Sequence, residues 1–141
     1  MAVPDLTANA SGLREPRRSS LGWHGPAVVA VSVGKDLGDA VVRYADAQGA
    51  SEAIHLHVSV DDRPEHALTV QDICDPGQWT VDQLAALNAR GIDKHLLILG
   101  PVSLAVRIGA AANGTGRTFV PFWDGGSGYQ EGIAIGGSAA P

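Results

Sequence analysis

Two shortages narrow the reading of this chain before any motif is sought. Its 141 residues hold one cysteine, Cys74, and two lysines, Lys35 and Lys94. A single cysteine excludes an internal disulfide and points to a reducing compartment, the cytoplasm. With so few lysines and a net charge of −5, the surface lacks the basic field by which DNA duplexes and acidic membranes are bound. No apolar run approaches the ~18 residues that cross a bilayer, and Met1–Ser20 has no apolar core of a secretory leader. That stretch, "MAVPDLTANASGLREPRRSS", carries two prolines, a basic cluster (Arg14, Arg17, Arg18) and no periodicity. It reads as a flexible tail over 1–21, with a short tail at 138–141 and a single domain over 22–137 between them. Also missing are G-x-G-x-x-G, G-x-x-x-x-G-K-[ST], G-x-S-x-G and H-E-x-x-H. No catalytic residue, metal or cofactor is therefore assigned from a motif.

What is present alternates in period. "AVVAVSV" (Ala27–Val33) is the continuous apolar run of a strand covered on both faces. Leu37, Ala40, Val41 and Tyr44 then fall at helical spacing between Lys35 and Gln48. "EAIHLHVSV" (Glu52–Val60) predicts a second strand, and Leu68–Ile73 a weaker one that ends in an Asp75-Pro76-Gly77 turn. Thr80-x-x-Gln83 has the form of a capping box opening a helix to Arg90. "KHLLILG" (Lys94–Gly100) is a third apolar strand, and Pro101–Ala112 a helix of small residues ending at Asn113-Gly114. "TFVPFW" (Thr118–Trp123), with Pro121 suited to an edge or a strand end, and "GYQEGIAIGG" complete the pattern. Strands alternating with helices predict an α/β fold: a Rossmann-like, open, mainly parallel sheet flanked by helices.

In such a sheet, ligands sit beyond the carboxyl ends of the strands. Two junctions there share a vocabulary: Ser32-Val33-Gly34-Lys35-Asp36 and Gly100-Pro101-Val102-Ser103. Glycine lets backbone approach a ligand, and a helix start offers N–H groups and a positive dipole end to an anion. Pro101 pre-sets the first helical turn, and Ser103 can cap it or contact an oxygen. Arg107 lies four residues beyond Ser103, on the same helical face. Lys35 opposes the dipole of the helix that follows, which favours a ligand over a plain turn. The competing reading of each junction is an ordinary tight strand-to-helix connection.

Other groups read more plainly. His55 and His57 point to one strand face; they are either half-buried polar residues or metal ligands completed by Asp61 or Asp62. Cys74, with no C-x-x-C partner, reads as a buried structural thiol. Phe122, Trp123 and Tyr129 stand beside glycines and either pack an edge hairpin or stack on a base.

The segments "KHLLILGPVSLAVRIGAAANGTGRTFVPFWD" and "GYQEGIAI" resemble a SAVED domain. This is the cyclic-oligonucleotide sensor of bacterial anti-phage (CBASS) signalling, related to the CARF domains of type III CRISPR effectors. Pro101, Ser103, Leu104, Ala105, Gly109, Trp123 and Tyr129 match its pattern, and "VVAVSVGKDLGDAVVRY" resembles the start of the family's second half. The likeness covers Ala27–Gly136, room for one CARF-like half and no effector domain. It implies a sensor that binds a cyclic di-, tri- or oligonucleotide and works as a homo-oligomer or with a separate effector subunit. The implied contacts are Ser32, Gly34, Lys35 and Asp36 on one side and Gly100, Pro101 and Ser103 on the other, with Arg107 opposing phosphate and Trp123 and Tyr129 near the base. Two alternatives remain: a ring nuclease using Ser32, Lys35 or His57, and a structural subunit of a larger complex.

Overall fold

Every residue of Ala27–Val33 is buried, so this strand needs cover above and below, and the rest of the chain is arranged around it. The structure is a computed structural model that describes residues 16–22, 24–112, 114–123 and 129–135. In chain order the elements are β1 (Arg17–Ser20), β2 (Ala27–Val33), α1 (Gly38–Ala47), β3 (Glu52–Val58), a 3-10 turn (Pro64–His66), α2 (Gln71–Ala89), β4 (Lys94–Leu99), α3 (Val102–Ala111), β5 (Thr118–Trp123) and β6 (Tyr129–Ile135).

The six strands form one sheet in the order β1-β3-β2-β4-β5-β6. β3, β2, β4 and β5 run parallel, while β1 and β6 pair antiparallel at the two edges. The fold is thus α/β, and the expected mainly parallel sheet is corrected to a mixed one. The chain steps one way from β2 to β3, then back past β2 to β4 and onward to β5. That reversal puts α1 on one face and α2 and α3 on the other. On the α1 face, Val41, Tyr44 and Ala45 pack on Val28, Ala30, Ala53 and Leu97. On the opposite face, Leu84 and Leu87 of α2 and Leu104 and Ile108 of α3 pack on Val29, Val31, Leu56 and Leu96. Fully burying side chains of this size contributes about 1.5–3 kcal/mol each.

Four local expectations are overturned. Arg17–Ser20 is not tail: it forms β1, registered from Arg17↔His55 to Ser20↔Glu52. All four residues are exposed, so apolar patterning gave no sign of a strand held by backbone pairing and polar side-chain contacts. Leu68–Ile73 is not a strand, and Asp75-Pro76-Gly77 is not a turn, because α2 already starts at Gln71 and runs through Pro76. Its capping box is Thr69–Asp72 rather than Thr80–Gln83. The Asp72 amide donates to Thr69 Oγ1 at 3.2 Å, and the Thr69 amide donates to Asp72 Oδ2 at 2.7 Å. Thr80 sits mid-helix instead, its hydroxyl donating to the Pro76 carbonyl at 2.8 Å. Asp72 is fully buried beside Arg63. Burial works against its charge, but Arg63 and Thr69 outweigh that and hold the carboxyl below its ordinary range.

Candidate functional site

Parallel pairing carries the two junctions to one place. β2 and β4 are neighbours, with Ser32 opposite Leu99, so Gly34 and Gly100 leave the same end of adjacent strands. A Cβ added to Gly100 would lie 3.2 Å from Val33 Cβ and 3.2 Å from Leu104 Cδ2; the two loops touch there, and a side chain would push them apart. Gly34 has φ +96°, a left-handed conformation that glycine adopts without strain. This is also where the strand order changes direction, the position at which α/β sheets bind ligands.

The junctions differ in charge. At β4–α3, Pro101 is extended (φ −67°, ψ 153°), and among the described residues α3 has neither a side-chain cap nor an acidic residue in its first turn. Ser103 is exposed beside that helix start. The Leu104 amide turns back to the Pro101 carbonyl at 2.9 Å, so the helix start offers an outside anion its dipole and the Val102 and Ser103 amides. At β2–α1 the chain supplies its own anion: Asp36 Oδ1 accepts the Gly38 amide at 2.9 Å and Arg17 Nη2 at 2.7 Å. The Gly34 amide is committed too, donating to the Val58 carbonyl at 2.8 Å. Burial works against the Asp36 charge, but Arg17 and the Gly38 amide overcome it and lower the carboxyl to about 2. Lys35 is exposed beside it.

Behind Asp36 lies a polar network that motif reading did not assemble. Arg17 Nη2 also donates to His55 Nδ1 at 2.7 Å; His55 Nε2 is 2.8 Å from Ser32 Oγ, and Ser32 Oγ is 2.9 Å from His57 Nδ1. Ser32 is fully buried and His55 is 4% exposed, whereas His57 is half-buried. Burial, reinforced by the Arg17 charge, lowers the His55 imidazole to about 4, so it is neutral near pH 7. Arg17 and His55 line a cleft of about 210 Å³ between β1 and α1, where the outer end of the network reaches solvent. His55 and His57 were visible as a His-x-His strand pair; Arg17 was not, because its partners lie 19 and 38 residues away. Both histidines hydrogen-bond Ser32. Among the described residues no group of three or more His, Cys, Asp or Glu side chains is placed to hold a metal ion.

Of the remaining residues implied as contacts, Arg107 stands apart. Its Cγ is 2.9 Å from where a Cβ on Gly77 would be, so its stem lies against α2, five positions along from the start of α3. Trp123 and Tyr129 are backbone partners across β5 and β6; their side chains lie outside the described residues. Cys74 is half-buried in α2. No described helix is long and apolar enough to cross a membrane. Compared with protein-family models and with curated protein sequences, the chain matches none.

Proposed function

We propose that this chain is a cyclic-oligonucleotide sensor, one CARF-like half of Rossmann type. It binds its anionic ligand where the β2–α1 and β4–α3 junctions adjoin and works in the cytoplasm. The observation that carries the reading is the contact between the two junctions at the reversal of strand order, with Val33 against Gly100. The uncapped start of α3 suits a phosphate, with exposed Ser103 on it and exposed Lys35 in the β2–α1 loop. The ligand role passes to these groups, while Asp36 braces the α1 side and Arg107 lies away from the junction. Exposed Val102 and Val106 on α3 offer apolar surface to a second copy or to an effector subunit. Ligand occupancy then drives assembly by as much as the assembled state binds more tightly.

Isothermal titration against a panel of cyclic di- and trinucleotides tests this. Saturable binding that weakens in Lys35→Ala supports the sensor; no heat and no thermal shift with any member defeats it.

A second reading, ring-nuclease activity, is favoured by the Ser32 hydroxyl held between two imidazoles. Full burial of Ser32 weighs against its oxygen as a nucleophile, which leaves Lys35 and His57 as the candidates. Linear product from labelled ligand without metal identifies the enzyme, and intact ligand the sensor.

A further inference from the structure

One helix of ten residues, α1, covers its whole side of the sheet, and it does not reach the edge strand. Val41, Tyr44 and Ala45 seat it over Val28, Ala30, Ala53 and Leu97. Arg17 and Ser19 are in register with His55 and Ala53, so they stand on the same face beyond the helix. The strip between is the cleft of about 210 Å³, with Arg17, Ser19 and Ala53 on its sheet side and Asp39, Val41 and Val42 on its helix side. That volume is below the ~300–1,000 Å³ of pockets for drug-sized ligands. The cleft takes one ring system, not a whole cyclic dinucleotide.

The two sides offer opposite chemistry. Arg17 uses Nη2 for both Asp36 and His55, which fixes the guanidinium in place. Its N–H groups on Nε and Nη1 have no partner among the described residues. Across the cleft, Asp39 is exposed in the first turn of α1 and has no partner among the described residues either; as a carboxylate it only accepts. Val42, 54% exposed, presents an apolar surface to the face of a ring. Charge excludes a phosphate here, because Asp36 already pairs with Arg17 and Asp39 adds a second negative charge. A neutral ring fits, with acceptors on one edge and donors on the next. Guanine has the acceptors O6 and N7 beside the donors N1–H and N2–H. Adenine reverses the match, setting its amino group against Arg17 and its bare N1 against Asp39, and uracil has a single donor, N3–H.

We infer that this cleft is a base pocket selective for guanine, with Arg17 donating to O6 and N7 and Asp39 accepting from N1–H and N2–H. The inference rests on the cyclic-nucleotide reading and adds the base to it. Gly38 links the two: it lines the cleft, and its amide binds Asp36 at the β2–α1 junction. Phosphate lies at the junctions and guanine beside them.

Calorimetric titration with cyclic di-GMP, cyclic GMP–AMP and cyclic di-AMP reads the base. Wild type should bind a guanine-bearing ligand about tenfold or more tighter than cyclic di-AMP, as for hydrogen bonds to charged groups. Asp39→Asn keeps the side chain's size but turns one acceptor into a donor. It should abolish that preference and leave any affinity for cyclic di-AMP within about threefold. Equal affinities in wild type, a preference for cyclic di-AMP, or an Asp39→Asn that keeps the preference or weakens all three ligands alike overturns the pocket and leaves the sensor reading standing. If none of the three binds, 5′-GMP at millimolar concentration decides the pocket by itself. Amide shifts at Ser19, Gly38 and Ala53 with 5′-GMP but not with 5′-AMP keep the guanine pocket while the sensor reading loses its support. No shift there, or the same shift with both, overturns it.

Discussion

The two junctions at the carboxyl end of the sheet use the same residues for opposite ends. At β2–α1, a glycine, a lysine and a helix start are tied into the protein itself: Asp36 occupies the helix amide, Arg17 neutralises Asp36, and Ser32 is sealed between histidines. At β4–α3, the same kind of glycine and helix start carry no anion of their own. A strand–glycine–helix junction is thus open to a ligand only where the chain has not supplied its own anion. Here Asp36 supplies it, and Arg17, delivered by a strand at the sheet edge, pairs with Asp36. On the proposed reading the first junction is braced from within and the second is the main anion receptor, and substitutions should separate the two.

The largest effect belongs to the brace. Between its ordinary 6.5 and its folded value of about 4, His55 binds a proton only in the unfolded chain. Stability therefore falls as pH drops through that window, by roughly 3 kcal/mol. Urea unfolding at a series of pH values should show this acid limb, and His55→Gln should flatten it. Next, Ser32→Ala strands the His55 N–H in a dry interior and costs about 1–3 kcal/mol, whereas Ser103→Ala at the receptor stays within about 0.5 kcal/mol. Equal losses from the two serines would erase the distinction.

Smaller again is Asp36→Asn. Asp36 is half exposed, so its pair with Arg17 is screened and contributes about 0.5–1 kcal/mol. With the folded value near 2 against an ordinary 3.8, that contribution is present above pH 3.8 and lost as pH falls toward 2; the asparagine variant should lack this last acid step. Smallest in stability is Ser103→Asp, which gives α3 the first-turn acid it lacks. It should stabilise the helix by about 0.3–1 kcal/mol and yet weaken cyclic-nucleotide binding at least tenfold by filling the receptor with its own charge.

Periodicity located β2, α1, β3, β4, α3, β5 and β6 because each shows an apolar face or run to the core. It failed at β1, whose four residues bury nothing, and at the start of α2. There Pro76 and Gly77 look like a turn, but Thr69 and Asp72 had already nucleated the helix. Ser32, Gly34, Gly100 and Ser103 were legible as junction residues, since strand ends and glycines are local signals. What each does was not legible. Asp36 carries Arg17, and the Arg107 stem lies on Gly77. Both contacts join distant parts of the chain, which local signals do not show.

The account turns on a single ligand spanning both loops. Proton–nitrogen correlation spectra recorded while the cyclic di- and trinucleotide panel is titrated follow every backbone amide at once. The prediction is that one member shifts Gly34–Gly38 and Val102–Leu104 together, along curves described by one Kd. Shifts confined to one loop, or fitted by two different constants, would contradict it, as would spectra that no member of the panel changes.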